Sequence, residues 1–168
     1  MAIEVKVLHA GDDHVLMKVA PEVFDYPVDP ALVHEFLVDP RHHIAVAIDD
    51  GVVVGFASAV HYIHPDKPPE LWINEVGLAP THRRRGLGKA VLQSLFEVAR
   101  AQRCKMAWVL TDRGNTAAMA LYKSVGGKEG VDDARPDEAM LGFRFEFETL
   151  TRKRTPARHH QRTRPTSR

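Results

Sequence analysis

The sequence predicts an α/β fold in which one mixed sheet carries helices on its faces. Three observations support this fold class. The 168-residue chain is 44% hydrophobic, which suits one well-packed domain, strand and helix patterns alternate along it, and no internal repeat is evident. The expected order is strand, two helices, three strands, helix, strand, helix, strand.

The first half of the chain supplies four predicted strands. "IEVKVLH" alternates as an opening strand, and "HIAVAI" and "VVVGFASAVHYI" form a hairpin across the tight turn "DDG". "ELWINEVGLA" is the next strand. Residues 12–20 and the stretch "DPALVHEFLVD" predict two short helices. The second has Asp29 as its N-cap and Pro30 at its first position, where no N–H is needed.

The second half of the chain predicts two longer helices and two strands. Apolar residues at helical spacing predict a helix that follows "HRRRGLG" and ends near Gln102. The short apolar run "KMAWVLT" is typical of a central strand. "NTAAMALYKSVGG" predicts a helix capped by Asn115 and ended by Gly126 and Gly127, and "MLGFRFEFE" alternates as a half-buried final strand.

Charge is distributed unevenly along the chain. Residues 151–168 hold seven Lys and Arg and no acid, which leaves 16 basic against 22 acidic residues in residues 1–150. The basic tail has no aliphatic side chain larger than alanine and is predicted to be disordered, so we place the domain at residues 1–150. An acidic domain attracts a cationic small-molecule substrate, although acidity also serves solubility.

Composition disfavours several classes of protein. No run approaches the roughly 18 apolar residues of a membrane span and the first ten residues lack a signal-peptide core, so we expect a cytoplasmic protein with no membrane partner. Cys104 is the only cysteine and is expected to be a small buried hydrophobe. His61 and His64 lack a third ligand nearby, so no metal is predicted, and His42 and His43 are expected to be the solvated start of a strand.

The stretch "HRRRGLG" concentrates positive charge and glycine at the start of a helix. The first turn of a helix presents unpaired N–H groups and the positive end of its dipole, which together bind anions. Gly86 and Gly88 let the backbone approach an anion closely because they carry no β-carbon. The spacing is neither that of a P-loop nor the dinucleotide fingerprint, so it indicates another phosphate-bearing ligand, or a basic surface turn before an ordinary helix.

Two motifs together resemble a known family. "NEVGLAPTHRRRGLGKAVL" is similar to the acetyl-CoA site of the Gcn5-related N-acetyltransferases, and "NTAAMALYKSVGG" is similar to the family's later helix. The resemblance covers roughly residues 44–127 and implies the acyl-CoA N-acyltransferase fold, with a mixed, mostly antiparallel sheet and acetyl-CoA as cofactor. It implies that the backbone of Val76, Gly77 and Leu78 pairs with the pantetheine arm. The residues it implies for the pyrophosphate are Arg83, Arg84, Arg85, Gly86, Leu87, Gly88 and Lys89, and Asn115 would touch the cofactor.

An N-acetyltransferase must present a neutral amine to the thioester, and deprotonating a lysine-like amine at pH 7 costs about 4 kcal/mol. Glu75 precedes the pantetheine-pairing residues on the same strand and is the expected general base, with a salt-bridging or substrate-binding carboxylate as the alternative. The resemblance implies that Tyr122 protonates the departing thiolate. The alternative is a core tyrosine on the helix face of Ala118, Leu121 and Val125. No covalent intermediate is required.

The acceptor is suggested by a narrower resemblance. "VFDYPVDPALVHEFLVDPRHHIAVAIDDGVVVGFASAV" followed by "ELWINEVGLAP" resembles the aminoglycoside 3-N-acetyltransferases. This resemblance implies acetylation of an aminoglycoside at its 3-amino group and antibiotic resistance. Carboxylates would bind the ammonium groups, although the same negative field raises the pKa of the amine. For each acid a solvated surface carboxylate is the alternative. The expected substrate-binding residues are Asp25, Tyr26, Glu75, Asp112, Glu129 and Asp132.

Three alternative functions remain open. The enzyme could acetylate a polyamine, a peptide N-terminus or another metabolic amine, or the fold could sense acetyl-CoA without catalysis. The basic tail could instead bind nucleic acid, which its lack of aromatic residues for base stacking disfavours. We therefore expect a small cationic amine as partner and no nucleic acid. The resemblance also implies that two chains can form a homodimer by sharing a terminal strand.

Overall fold

The structure is a computed structural model that describes residues 3–112 and 114–128. The predicted final strand, Glu129, Asp132 and the basic tail lie outside the described residues. Two short 3₁₀ helices, Asp13–Met17 and Pro80–His82, precede the first and second α-helices. The described strands and α-helices, in chain order, are β1 (Glu4–Leu8), α1 (Pro30–Val38), β2 (His42–Asp49), β3 (Val52–Tyr62), β4 (Glu70–Leu78), α2 (Leu87–Ala101), β5 (Met106–Val109) and α3 (Thr116–Ser124).

The described strands form one mixed sheet in the order β1-β2-β3-β4-β5. Strands β1 to β4 are each antiparallel to their neighbours, and β5 is parallel to β4. The predicted α/β fold with a mixed, mostly antiparallel sheet is confirmed. The hairpin turn between β2 and β3 also forms as predicted, because Asp50 and Gly51 have φ angles of 49° and 76°, the positive values that a tight two-residue turn requires.

The two faces of the sheet carry side chains of different size. On β2 and β3 the alanines at 45, 47, 57 and 59 are fully buried, and they alternate with larger residues such as Ile44 and Phe56. Helix α2 packs across β1 to β4 on the alanine face, where small side chains allow a close approach, and its residues Val91, Leu92 and Leu95 are fully buried. Helix α1 covers the face that carries Ile44 and Phe56.

The helix caps follow the sequence predictions. The Asp29 carboxylate accepts hydrogen bonds from the backbone N–H groups of Ala31 at 2.8 Å and Leu32 at 3.4 Å, with Pro30 at the first helical position. Asn115 Oδ1 accepts a hydrogen bond from the N–H of Ala118 at 3.0 Å at the start of α3. Both caps satisfy first-turn donors that have no partner within the helix.

Two predicted elements are shorter than expected. Residues 12–20 form only the five-residue 3₁₀ helix Asp13–Met17, whose single buried residue, Leu16, gives it too small an apolar face to extend. Strand β5 has four residues, and Met106 and Ala107 at its start are exposed. Among the described residues β5 pairs with β4 alone, and the predicted final strand lies outside them, so a central position of β5 stays a prediction.

The composition led to expectations about Cys104 and about membrane-spanning helices. Cys104 is half-buried against the core rather than fully buried, and burial raises the pKa of its thiol. No helix in the described part of the chain has both the length and the apolar character needed to cross a membrane.

Candidate active site

Strands β4 and β5 pair over only part of their length. The parallel register begins with Glu70 opposite Met106 and ends with Ile73 opposite Val109. Beyond that point β4 continues to Leu78 with β3 paired on its other side. In residues 3–112 and 114–128, no strand therefore pairs with the second edge of segment 74–78. An open strand edge of this kind accepts an extended ligand as an added strand.

The three residues predicted to pair with the pantetheine arm lie on this open segment. The carbonyl of Leu78 already accepts a hydrogen bond from Arg83 Nε at 3.3 Å. Gly77 is needed for packing, since a β-carbon there would collide with the carbonyl oxygen of Val23 and would lie 2.6 Å from Phe56 Cε1. Glycine at position 77 thus lets the backbone at Val23 pack against β4. Backbone pairing with the cofactor remains a prediction for Val76, Gly77 and Leu78.

The loop between β4 and α2 offers a run of free backbone donors. Within the described residues the N–H groups of residues 84–89 donate no hydrogen bond, and the first paired amide is that of Ala90, which donates to the carbonyl of Gly86 at 3.1 Å. Arg84 and Gly86 have φ angles of 61° and 80°. Successive unpaired amides with alternating backbone handedness form an anion-binding concavity, here next to the positive end of the α2 dipole.

The two glycines of this loop have different physical roles. Gly86 has a positive φ, and a β-carbon there would meet nothing within 4 Å, so the backbone conformation is what favours glycine. Gly88 is buried, and a β-carbon there would lie 3.1 Å from Leu121 Cδ2 and 3.3 Å from Leu78 Cδ1. The role of Gly88 in close approach to an anion stays a prediction. Its small size lets α2 pack against α3 and β4.

Four exposed cationic side chains surround the loop, those of Arg83, Arg84, Arg85 and Lys89. None of them forms a salt bridge with an acid in the described part of the chain. Free amides and unpaired cations together suit a ligand with several phosphate charges. The residues present therefore fit the predicted diphosphate of coenzyme A.

A β-bulge decides which way Glu75 points. Strand β3 pairs regularly with β4 up to Ile73, and Ser58 then pairs with Glu75 rather than with Asn74, which is the extra residue of the bulge. In a regular strand Glu75 would share the face of Ile73, the face that α2 covers. The bulge turns Glu75 onto the opposite face, beside Ser58.

Glu75 lines a cavity of about 390 Å³ between the sheet and α1. Its wall is mostly apolar and includes the rings of Phe24 and Phe56, which stack with centroids 4.0 Å apart. Three carboxylates lie in the wall, and that of Asp29 is occupied by capping α1. Asp25 and Glu75 are therefore the carboxylates available to a ligand in this cavity.

The electrostatics of the cavity favour proton transfer at Glu75. Partial burial raises the pKa of Glu75, and the negative charge of Asp25 raises that pKa further. A raised pKa makes the carboxylate a stronger proton acceptor at neutral pH. Tyr26, also predicted to bind substrate, lies at the rim with 83% of its surface exposed. The structure thus brings Asp25, Tyr26 and Glu75 together.

The other predicted substrate-binding acids are not part of this wall. Asp112 Oδ1 accepts a hydrogen bond from the N–H of Gly114 at 2.5 Å, and this contact holds the turn before α3. Asp112 is absent from the residues that line the cavity. Glu129 and Asp132 lie outside the described residues. Substrate contact by these three acids remains a prediction.

Helix α3 carries Tyr122, the predicted general acid. Its side chain packs half-buried against the core, and burial raises the pKa of the phenol, which keeps it protonated at neutral pH. Within the described residues its hydroxyl makes no hydrogen bond. The neighbouring Leu121 fills the space above Gly88, so the packing of α3 on α2 sets the position of Tyr122. The predicted contact of Asn115 with the cofactor stays a prediction.

Sequence patterns do not single out Glu70, a buried acid at the start of β4. Its Oε2 accepts hydrogen bonds from Tyr62 Oη and Trp108 Nε1, each at 2.9 Å, and its Oε1 pairs with Lys67 Nζ at 2.6 Å. The hydrogen bond from Lys67 is the main cause that lowers the pKa of Glu70 to about 2. This cluster ties β3, β4 and β5 together at the end where β4 and β5 are paired. The only sequence signal is an acid placed directly before the apolar run "LWI".

The histidines differ from expectation in one respect. His43 is buried within β2 rather than solvated, because its Nε2 finds a hydrogen-bond partner in His61 Nδ1 at 2.8 Å. Burial, followed by the charge of His61, lowers the pKa of His43 to about 4. In the described ranges no group of three or more potential ligands could hold a metal ion. The absence of a metal site from the whole chain stays a prediction.

Strands β4 and β5 separate beside a loop of free backbone amides, and a carboxylate lies in the adjoining cavity. This arrangement suits an acyltransferase that uses a coenzyme A thioester. Residues 14–126 match the model of the acetyltransferase (GNAT) family. The chain therefore belongs to the acetyltransferase (GNAT) family, whose members use acetyl-CoA.

Individual relatives differ in their acceptors. The chain is 35% identical over 104 residues to the N-alpha-acetyltransferase RimI of Mycobacterium tuberculosis, an alignment that covers 62% of this chain and 63% of RimI. It is similar in fold to an aminoglycoside acetyltransferase from an uncultured soil metagenomic sample, with a TM-score of 0.70 and 22% identity over 88% of this chain and 100% of the other. The aminoglycoside acetyltransferase AAC(6')-Iy bound to a bisubstrate analogue gives a TM-score of 0.68 with 18% identity, covering 87% and 99% of the two chains. At such low identity a structural likeness shows the fold and does not identify the acceptor.

Proposed function

We propose that this protein transfers the acetyl group of acetyl-CoA to the α-amino group of a polypeptide. The observation that carries the proposal is the cavity beside Glu75, which combines mostly apolar walls with the two available carboxylates of Asp25 and Glu75. Such a cavity suits an amine attached to a body that is partly apolar. The carboxylates meet the amine, and the walls meet the first side chain of the peptide.

The same composition disfavours a ligand that carries many hydroxyl groups. Each polar group that loses water without gaining a hydrogen bond costs about 1–3 kcal/mol. Besides the acids, Ser58 and the exposed Tyr26 are the side chains of the wall that offer a hydroxyl group. An extended peptide satisfies this wall better, because it places one amine and one side chain inside and leaves its remaining polar groups in water.

The chemistry needs a proton acceptor near the acceptor amine and a proton donor near the leaving sulfur. Acetyl-CoA, when bound, supplies an acetyl group activated as a thioester. Glu75 would accept the proton that the ammonium group loses, and its raised pKa favours that transfer. Asp25 would hold the ammonium group before transfer. Tyr122 Oη would donate a proton to the thiolate as the carbon–sulfur bond breaks.

Sequence similarity supports a peptide acceptor. RimI, the relative described above, is named an N-alpha-acetyltransferase. This chain spans 63% of the length of RimI, so the acceptor is carried over as part of the proposal.

An aminoglycoside, acetylated at its 3-amino group, is the second candidate acceptor. Two observations favour it: residues 1–150 hold 22 acids against 16 bases, and both Asp25 and Glu75 face the cavity, where they can attract ammonium groups. If the enzyme acts on this acceptor, it would confer antibiotic resistance.

An acceptor panel tests the two candidates directly. The full chain is supplied with acetyl-CoA, and thiol release is followed with peptides that differ only in their first residue, with gentamicin and kanamycin, and with spermidine. We expect turnover of peptides with a free α-amine and a higher kcat/KM for Leu than for Asp at the first position. Mass spectrometry should place one acetyl group on the α-nitrogen. Turnover of an aminoglycoside without turnover of any peptide would overturn the proposal.

Two controls sharpen the panel. A peptide with a blocked α-amine and an internal lysine should not react, because the cavity is proposed to hold the first residue. Glu75→Gln should lower kcat/KM by at least about tenfold. Glu97→Gln makes the same charge change on a side chain of α2 that is 76% exposed, and it should leave kcat/KM unchanged.

A further inference from the structure

A chain of side-chain hydrogen bonds joins the start of the anion-binding loop to the opposite hairpin. His82 Nε2 lies 3.0 Å from Asp49 Oδ2, and His82 Nδ1 lies 2.9 Å from Thr81 Oγ1. Asp49 is the last residue of β2, and His82 is the last residue before the loop formed by residues 83–86. Both partners are shielded, with 30% of the Asp49 side chain and 16% of the His82 side chain exposed.

The loop that follows His82 needs such support. Arg84 adopts a left-handed backbone conformation, which costs of order 1–3 kcal/mol for a residue with a β-carbon and persists only where the surroundings impose it. The amides of residues 84–89 donate no hydrogen bond within the described part of the chain. Backbone hydrogen bonds therefore hold the loop only at its ends, from the N–H of Arg83 to the carbonyl of Pro80 at 3.4 Å and from the N–H of Ala90 to the carbonyl of Gly86 at 3.1 Å. Two further local anchors are the hydrogen bond from Arg83 Nε to the Leu78 carbonyl and that from the N–H of His82 to the carbonyl of Ala79.

The link to Asp49 differs from these anchors because it crosses the fold. It joins residues 33 positions apart and ties the loop to the β2–β3 hairpin. We propose that the Asp49–His82 hydrogen bond holds residues 83–86 in the conformation that receives the diphosphate of coenzyme A, which makes Asp49 a positioning residue for the cofactor. Asp49 acts through His82 and needs no contact with the cofactor.

The sign of the expected effect separates this role from simple electrostatics. Asp49 places a negative charge near Arg85 and close to the binding site of an anion. If charge alone mattered, removing Asp49 would strengthen the binding of coenzyme A. If the hydrogen bond positions the loop, removing Asp49 weakens binding instead.

Asp50 provides the matched control. It is the next residue of the same turn, it is exposed, and no hydrogen bond involves its side chain in the described residues. Asp50→Asn removes the same charge, and asparagine tolerates the φ of 49° at this position. His82→Phe breaks the link from its other side and retains an aromatic ring.

The test compares the affinities of the purified full-length variants for coenzyme A by titration calorimetry. Asp49→Ala and His82→Phe should each weaken binding roughly three- to tenfold, the range expected for one lost hydrogen bond. The double variant should be no weaker than the worse single variant, because both remove the same interaction. Asp50→Asn should bind as tightly as the unchanged protein, or slightly more tightly.

A second readout needs no cofactor. In the ligand-free protein, amide hydrogen exchange of residues 83–86 should be faster in Asp49→Ala than in Asp50→Asn, and the KM for the acceptor should be the same in both variants. The proposal is overturned if Asp49→Ala binds coenzyme A as tightly as Asp50→Asn, or if the effects of Asp49→Ala and His82→Phe simply add. Should Asp49→Ala fail to fold, the single variant His82→Phe decides the outcome by the same affinity criterion.

Discussion

Replacing Gly77 with alanine tests whether the loop around Val23 is clamped against β4. The added methyl group would collide with the carbonyl oxygen of Val23 and would lie 2.6 Å from Phe56 Cε1. Val23 and Phe56 are 2% and 1% exposed, so neither can move into solvent. Because the first obstacle is backbone, the whole loop must shift away from the strand.

The expected cost follows from that geometry. Adding a methylene-sized group to a packed interior costs typically 1–3 kcal/mol, and a backbone obstacle places Gly77→Ala at about 3 kcal/mol. For a chain of this length each kcal/mol lowers Tm by about 2–4 °C, so we expect Tm to fall by roughly 6–12 °C. The loop carries Phe24 and Asp25 of the cavity wall, so the KM for the acceptor should rise while the affinity for coenzyme A changes less.

Gly88→Ala is the matched comparison. Its β-carbon would meet only side-chain atoms of Leu121 and Leu78, at 3.1 and 3.3 Å, which can give by a few tenths of an ångström. Alanine also gains up to about 1 kcal/mol of helix propensity over glycine, which offsets part of the crowding. We expect a net change in the free energy of unfolding within about 1 kcal/mol, measured by urea and thermal denaturation. Equal stability of the two variants, with an unchanged acceptor KM for Gly77→Ala, would refute the clamp.

Three further predictions concern titratable groups. Because the charge of Asp25 raises the pKa of Glu75, Asp25→Asn should move the acid limb of the pH profile of kcat/KM to lower pH. If this limb does not move, Glu75 is not the group that titrates. Tyr122→Phe should lower kcat by at least about tenfold, since the phenol is proposed to protonate the leaving thiolate. The KM values for acetyl-CoA and for the acceptor should change little. An unchanged rate in single-turnover measurements would contradict that role. The pKa of Glu70 lies near 2, below its ordinary value of 4.5, so its ion pair stabilises the fold above pH 4.5 and loses that effect as the pH falls toward 2. Glu70→Gln should therefore be less stable than the unchanged protein at pH 7, with a difference that shrinks below pH 4.5, and a difference independent of pH would contradict the assignment.

Local sequence patterns predicted most of the described secondary structure. Asp29 with Pro30, Asn115 with its helix, and the turn at Asp50 and Gly51 involve interactions within a few residues, so their chemistry is readable along the chain. The glycine-rich helix start was predicted for the same reason. The length of the helix predicted at residues 12–20 was overestimated, since only residues 13–17 are helical. Helix length there depends on how much apolar surface the rest of the fold can cover.

The sequence by itself determined the family, the order of the described elements and the glycine-rich start of α2, because these depend on residue type, spacing and short-range hydrogen bonds. Tertiary structure alone decided the direction of Glu75, since counting alternate residues from the buried Ile73 places it under α2 and only the bulge at Asn74 turns it into the cavity. It also decided that Gly77 and Gly88 are packing positions, because the atoms that exclude a β-carbon come from Val23 and Leu121, far away in the chain. Register shifts and contacts between distant segments arise when strands and helices pack together, and a one-dimensional pattern does not contain them.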